Sequence, residues 1–335
     1  MDNRSIVFTA PNQVEIIREH VASPGPGMVL VQTVISSISS GTERANLVGD
    51  INVSIHECFD HAIFPRRCGY SSSGVVVQVG ENVTTLKPGD RVAMSWSQHT
   101  QFNCLRERDV YRLEDGISFS EGALWHIATF PLAAIRKCGL EIGEPALVMG
   151  QGVLGQMAIS LLRQAGAAPI IAVDPVPEKR QQACRLGADY ALDPFAADFA
   201  QRVKALTGGV KVALEVTGNG PALDSVLDCM APMGRVALLG CTRHSDFSID
   251  YYHKVHGPGI VLIGANTDAR PKAESSHGLW TTRDDVFSLQ RLVKLGRLSF
   301  ASMVEEQHAI DEAAEVYARL AAQKHFPLVQ FDWRR

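Results

Sequence analysis

A glycine-rich turn between a strand and a helix limits, more than any other feature, what this chain can fold into. The apolar run 146–149 predicts a buried strand, the sequence GQGVLG follows at 150–155, and residues 153–165 have helical spacing. A second apolar run, 170–173, ends in Asp174, 19 positions after Gly155. These are the parts of a dinucleotide-binding βαβ unit in their expected order. The segment therefore predicts a parallel α/β sheet built around this turn.

Each part of the turn has a physical role in holding a dinucleotide. Gly150 permits the tight turn, Gly152 lets the backbone approach the pyrophosphate, and Gly155 lets helix and strand pack closely. The phosphates would face the free N–H groups of the first helical residues, Val153 and Leu154, at the N-terminus of the helix. The alternative is a glycine-rich turn in an α/β domain that binds no nucleotide.

Asp174 bears on which dinucleotide is bound. Its carboxylate would accept hydrogen bonds from the adenosine ribose and would repel a 2′-phosphate, which favours NAD over NADP. Lys179 and Arg180 follow within six residues and could weaken that preference. Their alternative role is as solvated helix charges.

The rest of the chain divides into two parts that differ in their sequence pattern. With 335 residues it is long enough for two domains of about 150 residues each. Short apolar or alternating runs separated by Pro-Gly turns fill the first hundred residues and predict a small barrel or sandwich. After about residue 120, strand-like runs alternate with helical stretches, which predicts a parallel sheet covered on both faces.

Composition excludes several classes of protein. The 32 basic and 36 acidic residues give a net charge of −4, which argues against nucleic acid held by bulk charge. Seven cysteines without a CxxC pair do not predict a disulfide scaffold or a four-cysteine zinc site. No run approaches the roughly 20 apolar residues of a membrane span, and no signal-peptide core precedes the first strand. We expect a cytoplasmic protein without membrane or nucleic-acid partners.

Several motifs together resemble the medium-chain dehydrogenase/reductase superfamily, and most closely its threonine, sorbitol and polyol dehydrogenase branch. They are SSGTE at 39–43, GYSSSGVVVQVG at 69–80, KPGDRV at 87–92, the glycine turn, EVTG at 215–218 and GRV at 234–236. The resemblance implies a Rossmann domain at 124–267 and a discontinuous, β-rich GroES-like catalytic domain at 1–123 and 268–335. It also implies cofactor contacts from Lys179, Thr217, Gly218 and Gly240, and a cleft between the domains for nicotinamide.

The departures from the family pattern concern zinc. Ser40 stands where the zinc-dependent branch has its first cysteine ligand, Tyr70 and Ser71 replace a His-Glu pair, and His126 falls near the third ligand. One histidine with two neutral hydroxyls does not suit zinc, which takes thiolate, imidazole or carboxylate. The lobe that carries four cysteines in the family retains only Cys104. The dipeptide His56-Glu57 lies in another segment and is predicted to be loop surface. We therefore expect no metal.

Without zinc, side chains must polarise the carbonyl oxygen and carry the proton. Tyr70 could donate from its phenol, His126 could act as a base or relay, and Thr42 could pass a proton to the cofactor ribose. Each has an ordinary alternative as a packed or hydrogen-bonded residue, and we expect Glu43 to be structural. The predicted catalytic set is Tyr70, Thr42, His126, Ser40 and Glu43.

The predicted function is a zinc-independent, NAD-dependent oxidoreductase that interconverts a secondary alcohol and its ketone. A polyol, a cyclitol, a sugar or a larger ring alcohol, as in bacteriochlorophyll synthesis, would fit the resemblance. The alternatives are an NADPH-dependent quinone or enoyl reductase and a catalytically silent NAD-binding protein. The superfamily commonly pairs through its last Rossmann strand, and the apolar segment 259–264 predicts a homodimer or homotetramer.

Overall fold

The computed structural model describes residues 2–54, 61–323 and 325–335. The predicted loop dipeptide His56-Glu57 lies outside the described residues. The chain forms two compact units, one of residues 1–127 and 286–335 and the other of residues 128–285. We call them the β-rich unit and the nucleotide-binding unit.

Sixteen strands lie in the part of the chain that the structure describes. In chain order they are β1 Asp2–Ala10, β2 Gln13–His20, β3 Met28–Ser37, β4 Arg66–Arg67, β5 Ser71–Val79, β6 Arg91–Ser95, β7 Phe102–Arg106, β8 Val110–Arg112, β9 Ala146–Met149, β10 Ile170–Val173, β11 Tyr190–Leu192, β12 Val210–Glu215, β13 Met230–Leu238, β14 Val261–Gly264, β15 Glu306–Ala309 and β16 Val329–Asp332.

The described residues also form nine α-helices. They are α1 Ser40–Val48, α2 Phe119–Gly122, α3 Trp125–Lys137, α4 Val153–Ala165, α5 Pro177–Arg185, α6 Phe199–Thr207, α7 Gly220–Cys229, α8 Thr282–Lys294 and α9 Ala313–Ala322.

The nucleotide-binding unit is a doubly wound parallel sheet. Its strand order is β11-β10-β9-β12-β13-β14, and every neighbouring pair is parallel. Strands β9 and β10 are wholly buried because helices cover the sheet, which explains their uninterrupted apolar sequences. The predicted α/β fold with a parallel sheet is confirmed.

The β-rich unit contains two sheets. One has three strands in the order β2-β1-β4; the other has seven, in the order β15-β16-β3-β5-β6-β8 with β7 paired to β3. Apolar side chains of β1, α9 and β16 form one core, which includes Phe8, Tyr317 and Phe331. The predicted β-rich fold of the N-terminal segment is confirmed.

Residues 268–285, which the sequence assigned to the catalytic domain, group with the nucleotide-binding unit. The guanidinium of Arg270 donates to the carboxylate of Asp285 and to the Thr129 carbonyl oxygen. Arg136 binds the other Asp285 oxygen at 2.8 Å. These buried ionic contacts hold the segment to helix α3. No local sequence pattern predicts them.

Among the described residues, no helix has the length and apolar composition that crossing a bilayer would need.

Candidate active site

The predicted cofactor residues lie at the carboxyl ends of four neighbouring strands. Gly150 follows β9, Asp174 follows β10, Thr217 and Gly218 follow β12, and Gly240 follows β13. Parallel strands end at the same edge of a sheet, and ligands of such sheets bind where the strand order reverses. Here the order reverses between β9 and β12. The structure therefore gathers these residues at one edge.

The glycine turn has the geometry that a dinucleotide requires. Gly150 has a φ of 98°, a backbone angle that residues with a side chain rarely adopt. A Cβ on Gly155 would lie 1.9 Å from the Gly150 carbonyl oxygen, whereas one on Gly152 would meet nothing within 4 Å. Helix α4 begins at Val153 without a side-chain cap. The space beside Gly152 is therefore open at the uncapped start of this helix, where a bound pyrophosphate would lie.

Asp174 is buried and fixed in place. Its carboxylate accepts hydrogen bonds from the backbone N–H of Gln151 at 2.8 Å and of Val176 at 2.9 Å. Each carboxylate oxygen can accept a further bond, so the group can still receive ribose hydroxyls. The Arg180 guanidinium donates to the Asp174 carbonyl oxygen at 2.7 Å and lies 3.5 Å from Asp193. Lys179, the other nearby cation, is half-buried.

A second carboxylate organises the loop after β12. Glu215 is buried and accepts hydrogen bonds from the Thr217 hydroxyl and the N–H groups of Thr217 and Gly218. Burial raises the pKa of Glu215, and these donors oppose the rise. A Cβ on Gly240 would lie 2.1 Å from the Gly218 nitrogen. Only glycine therefore allows the two loops to meet this closely.

In the β-rich unit, Tyr70 and His126 of the predicted catalytic set lie together. The ring centroids are 5.7 Å apart in an edge-on arrangement. The Tyr70 hydroxyl donates to the hydroxyl of Ser39, the residue before helix α1. His126 is buried at the start of α3 and also meets the ring of Trp96, with centroids 4.7 Å apart. Phenol, imidazole and indole thus form one aromatic group.

The remaining predicted catalytic residues occupy the first turn of α1. Ser40 and Thr42 are both half-buried, and the Thr42 carbonyl oxygen accepts a hydrogen bond from Asn46. Glu43 is buried and points into the core, where its carboxylate accepts the Ser39 N–H at 2.8 Å. The roles of Ser40 and Thr42 remain predictions, and the contacts of Glu43 are those of a structural residue, as expected.

Glu43 belongs to a buried cluster that the sequence did not indicate. Its second carboxylate oxygen accepts the Tyr317 hydroxyl at 2.5 Å and lies 3.1 Å from His99 Nε2. The Cys68 thiol lies 3.6 Å from the Tyr317 hydroxyl. Ser36 Oγ is 2.7 Å from His99 Nδ1. We call Glu43, Cys68, His99 and Tyr317 the core polar cluster.

Gly69 allows the aromatic group and the core polar cluster to form next to each other. It has a φ of 87°, and a Cβ there would fall 2.8 Å from the His99 nitrogen. The His99 N–H donates to the Cys68 carbonyl oxygen at 2.9 Å, and the Trp96 N–H donates to that of Tyr70 at 2.8 Å. Segments 68–70 and 96–99 therefore run side by side. Cys68 and His99 join the core polar cluster, whereas Tyr70 and Trp96 join the aromatic group.

The core polar cluster bears on the zinc question. Glu43, Cys68 and His99 offer ligand atoms within 4.8 Å of one another, and thiolate, imidazole and carboxylate are the donors that zinc takes. Burial raises the pKa of the Cys68 thiol well above its usual range, and the Glu43 charge adds to the rise. A zinc ion would have to deprotonate this thiol and displace the Tyr317 hydroxyl.

These three donors fit zinc by type, and they are separate from Ser40, Tyr70 and His126. The hydroxyl, phenol and imidazole of those residues remain unsuited to the ion. The expectation that the chain holds no metal is not confirmed, because a suitable donor set exists elsewhere in the same unit. No sequence spacing reveals it, since its members are 25 and 31 residues apart in the chain. Trp96 was also overlooked as a site residue; a lone tryptophan in a polar turn was its only signal.

Comparison with known proteins identifies the family. A model described as the alcohol dehydrogenase GroES-like domain matches residues 25–138. One described as zinc-binding dehydrogenase matches residues 153–268. Together the two models cover more than half of the chain, in the order and on the units described above. The chain belongs to the medium-chain dehydrogenase/reductase superfamily. The prediction that it is an enzyme of the alcohol dehydrogenase type is confirmed at this level.

Individual relatives are distant. The (R,R)-butanediol dehydrogenase of Bacillus subtilis is 27% identical over 91% of this chain and 92% of its own length. The D-guloside 3-dehydrogenase of Shigella flexneri is 24% identical over 75% of this chain and 72% of its own. A zinc-binding dehydrogenase of Sinorhizobium meliloti, solved with NADP, has a TM-score of 0.82 at 18% identity and 99% coverage of both chains. At 18% identity, the similarity to the Sinorhizobium meliloti structure shows the fold alone.

Proposed function

We propose that this superfamily member interconverts a secondary alcohol and its ketone with NAD or NADP, and that it does so without a zinc ion beside Tyr70. The observation that carries the proposal is the Tyr70 phenol, which is held by Ser39 and lies edge-on to His126. A phenol fixed in this way can donate its proton to a ketone oxygen, and its phenolate form can accept the proton of an alcohol. The relatives' names make a polyol, cyclitol or sugar alcohol the first substrate class to test.

The proton and the hydride take separate routes in the proposed reaction. When bound, NAD or NADP would supply the acceptor for the carbon-bound hydrogen of the alcohol, which leaves as hydride. The hydroxyl proton passes to the Tyr70 oxygen while the phenol's own proton moves on to solvent through the Ser39 hydroxyl, so the C–O single bond becomes a carbonyl. Ser39 can return a hydrogen bond to the phenol oxygen while Tyr70 donates to the ketone, because a serine hydroxyl both donates and accepts. Asp174 would hold the adenosine ribose, and the N-terminus of α4 would hold the pyrophosphate.

A substrate panel tests the reaction class. We expect turnover of secondary polyols, cyclitols or sugar alcohols with NAD or NADP. Turnover restricted to enones and quinones with NADPH would instead support a reductase of activated double bonds. Binding of NADH without turnover of either group would support a silent NAD-binding protein. The preference for NAD that Asp174 predicts is checked by comparing Kd for NADH and NADPH in the same titration.

Zinc content tests the proposed absence of the metal from catalysis. We expect protein purified without chelators to hold far less than one zinc per chain, and dialysis against a strong chelator to leave kcat unchanged. The matched variants are Cys68→Ser and Cys138→Ser, since both thiols are buried but only Cys68 lies beside Glu43 and His99. Stoichiometric zinc that is lost in Cys68→Ser and retained in Cys138→Ser, with activity lost alongside it, would overturn the zinc-free proposal.

Self-association through β14 remains part of the proposal. This strand is the outermost of its sheet, and Val261 is 49% exposed. An unpaired edge can continue into the sheet of a second copy. We expect Val261→Lys to lower the mass measured by light scattering to that of a monomer. Ile142→Lys is the control, because Ile142 is 90% exposed but precedes β9, which β12 and β13 separate from β14 in the sheet. Equal masses for wild type and Val261→Lys, both dimeric, would exclude this interface.

A further inference from the structure

Trp96 combines two properties that rarely coincide. Its backbone has a φ of 59°, in the left-handed region that a bulky side chain adopts only at a cost, and its side chain is 43% exposed. An exposed tryptophan in a turn gains little from burial. Part of the indole packs on His126, but the exposed part has no packing role that would account for a strained tryptophan at this position, and strain of this kind clusters at functional sites.

Hydrogen bonds on both sides hold the strained residue. Its own N–H donates to the Tyr70 carbonyl oxygen at 2.8 Å. Next to it, Ser97 Oγ accepts from the Ser72 hydroxyl at 2.6 Å, and Ser95 pairs with Ser71 across two strands. The turn is thus fixed independently of the indole. Any residue that tolerates this backbone could occupy position 96, yet the sequence has tryptophan, the largest side chain, there.

The indole lies beside the groups proposed to move the proton. Its ring meets His126 at a centroid distance of 4.7 Å and an angle of 65°, and His126 meets Tyr70 at 5.7 Å and 82°. All three residues belong to the β-rich unit, so their arrangement is set within one compact unit. Trp96 is the most exposed of the three residues, at 43% against 2% for His126, so its indole offers apolar surface beside this aromatic group.

A flat aromatic face next to hydroxyls suits one kind of substrate. The C–H bonds on one side of a pyranose or cyclitol ring carry partial positive charge and meet the negative face of an aromatic ring, while the ring hydroxyls remain free to hydrogen-bond. An open-chain diol presents no such flat side. We propose that Trp96 is the stacking platform of the substrate site and selects cyclic polyols and sugar rings over open-chain alcohols. This inference rests on the proposed function.

The decisive variant is Trp96→Asn, because asparagine tolerates the left-handed backbone but offers no ring. For myo-inositol and methyl β-D-glucopyranoside we expect KM to rise about tenfold or more, the scale of one lost aromatic contact. For 2,3-butanediol we expect KM to change by less than about twofold. Because the indole contact with His126 is lost whatever the substrate, any change in kcat should be the same for ring and open-chain substrates. Trp96→Phe should recover part of the affinity for rings.

Thermal stability separates this role from a structural one. Asparagine relieves the backbone strain, so we expect Trp96→Asn to melt no lower than the wild type. A structural tryptophan would instead give a lower midpoint and equal losses on ring and open-chain substrates, and that result would overturn the inference. Trp280→Phe is the control variant: its indole packs on Arg136 at 3.7 Å in the other unit and should not alter the ring preference.

A binding experiment distinguishes failure of this inference from failure of the proposed function. If no alcohol is turned over, the proposed function fails. Saturation-transfer NMR with methyl β-D-glucopyranoside then decides about Trp96 alone: transfer to the ring protons that is lost in Trp96→Asn supports the platform. Equal transfer in wild type and variant, or none in either, overturns it.

Discussion

Replacing Gly155 by alanine should abolish tight dinucleotide binding. The new Cβ would lie 1.9 Å from the Gly150 carbonyl oxygen and 2.9 Å from its carbonyl carbon. Both atoms are backbone, so either helix α4 or the glycine turn must move. We expect Kd for NADH to rise by at least about tenfold, equivalent to about 1.4 kcal/mol. We also expect the free energy of unfolding to fall by about 1–3 kcal/mol, as for other overpacked sites.

Two further glycines make this prediction specific. Gly152→Ala adds a Cβ with nothing within 4 Å, so the fold should be unaffected while the methyl group enters the space assigned to the pyrophosphate. It should weaken NADH binding without lowering the unfolding free energy. Gly25→Ala also meets nothing within 4 Å, but Gly25 precedes β3 in the β-rich unit, so this variant should change neither quantity. Wild-type NADH affinity in Gly155→Ala, measured by isothermal titration, would contradict the proposed nucleotide site.

Tyr70→Phe should lower kcat by about 10²–10⁴, the usual contribution of a positioned acid or base. The substitution removes only the hydroxyl that donates to Ser39, so the ring and its contact with His126 are kept. Loss of one hydrogen bond should cost about 1 kcal/mol of stability. The Kd for NADH, a property of the other unit's glycine turn, should not change. Steady-state kinetics and NADH titration on the same preparation measure both quantities.

Tyr317→Phe is the matched comparison, because it removes a phenolic hydroxyl from the same unit. That hydroxyl is fully buried and donates to Glu43 at 2.5 Å, so its loss leaves a buried carboxylate short of a donor. We expect lower thermal stability and retained turnover per folded molecule. If Tyr70→Phe retained the wild-type kcat, the phenol would have no part in proton transfer, and His126 would become the residue to test.

Local sequence patterns predicted the core of the nucleotide-binding unit residue by residue. Strand β9 covers 146–149, helix α4 covers 153–165 and strand β10 covers 170–173, as the apolar runs and helical spacing indicated. Buried parallel strands are uniformly apolar, and a helix that follows a glycine turn has a sharp start. Both signals lie within a few residues and need no knowledge of the rest of the chain.

Helices α1, α2 and α3 were not predicted, and the reasons are identifiable for α1 and α3. Helix α1 begins at Ser40 directly after a run of serines, which are ordinary turn residues. Helix α3 contains Pro131, which removes a backbone donor and argues against a helix interior. Tertiary packing overrides both signals, since α1 packs against α9 and His126 is buried near the start of α3.

The sequence by itself determined the superfamily architecture and the glycine turn with its acid, because strand and helix periodicity and turn chemistry are local. Through the resemblance to the family motifs it also singled out Tyr70 and His126 as candidate catalytic residues, and that role remains a prediction. Only the tertiary structure decided what surrounds them. Strand pairing across β3, β5 and β6 brings segments 68–70 and 96–99 side by side, and this pairing creates both the core polar cluster and the placement of Trp96 beside His126. Contacts between residues some 25 to 270 positions apart leave no local pattern in the sequence, since they depend on how the strands pair.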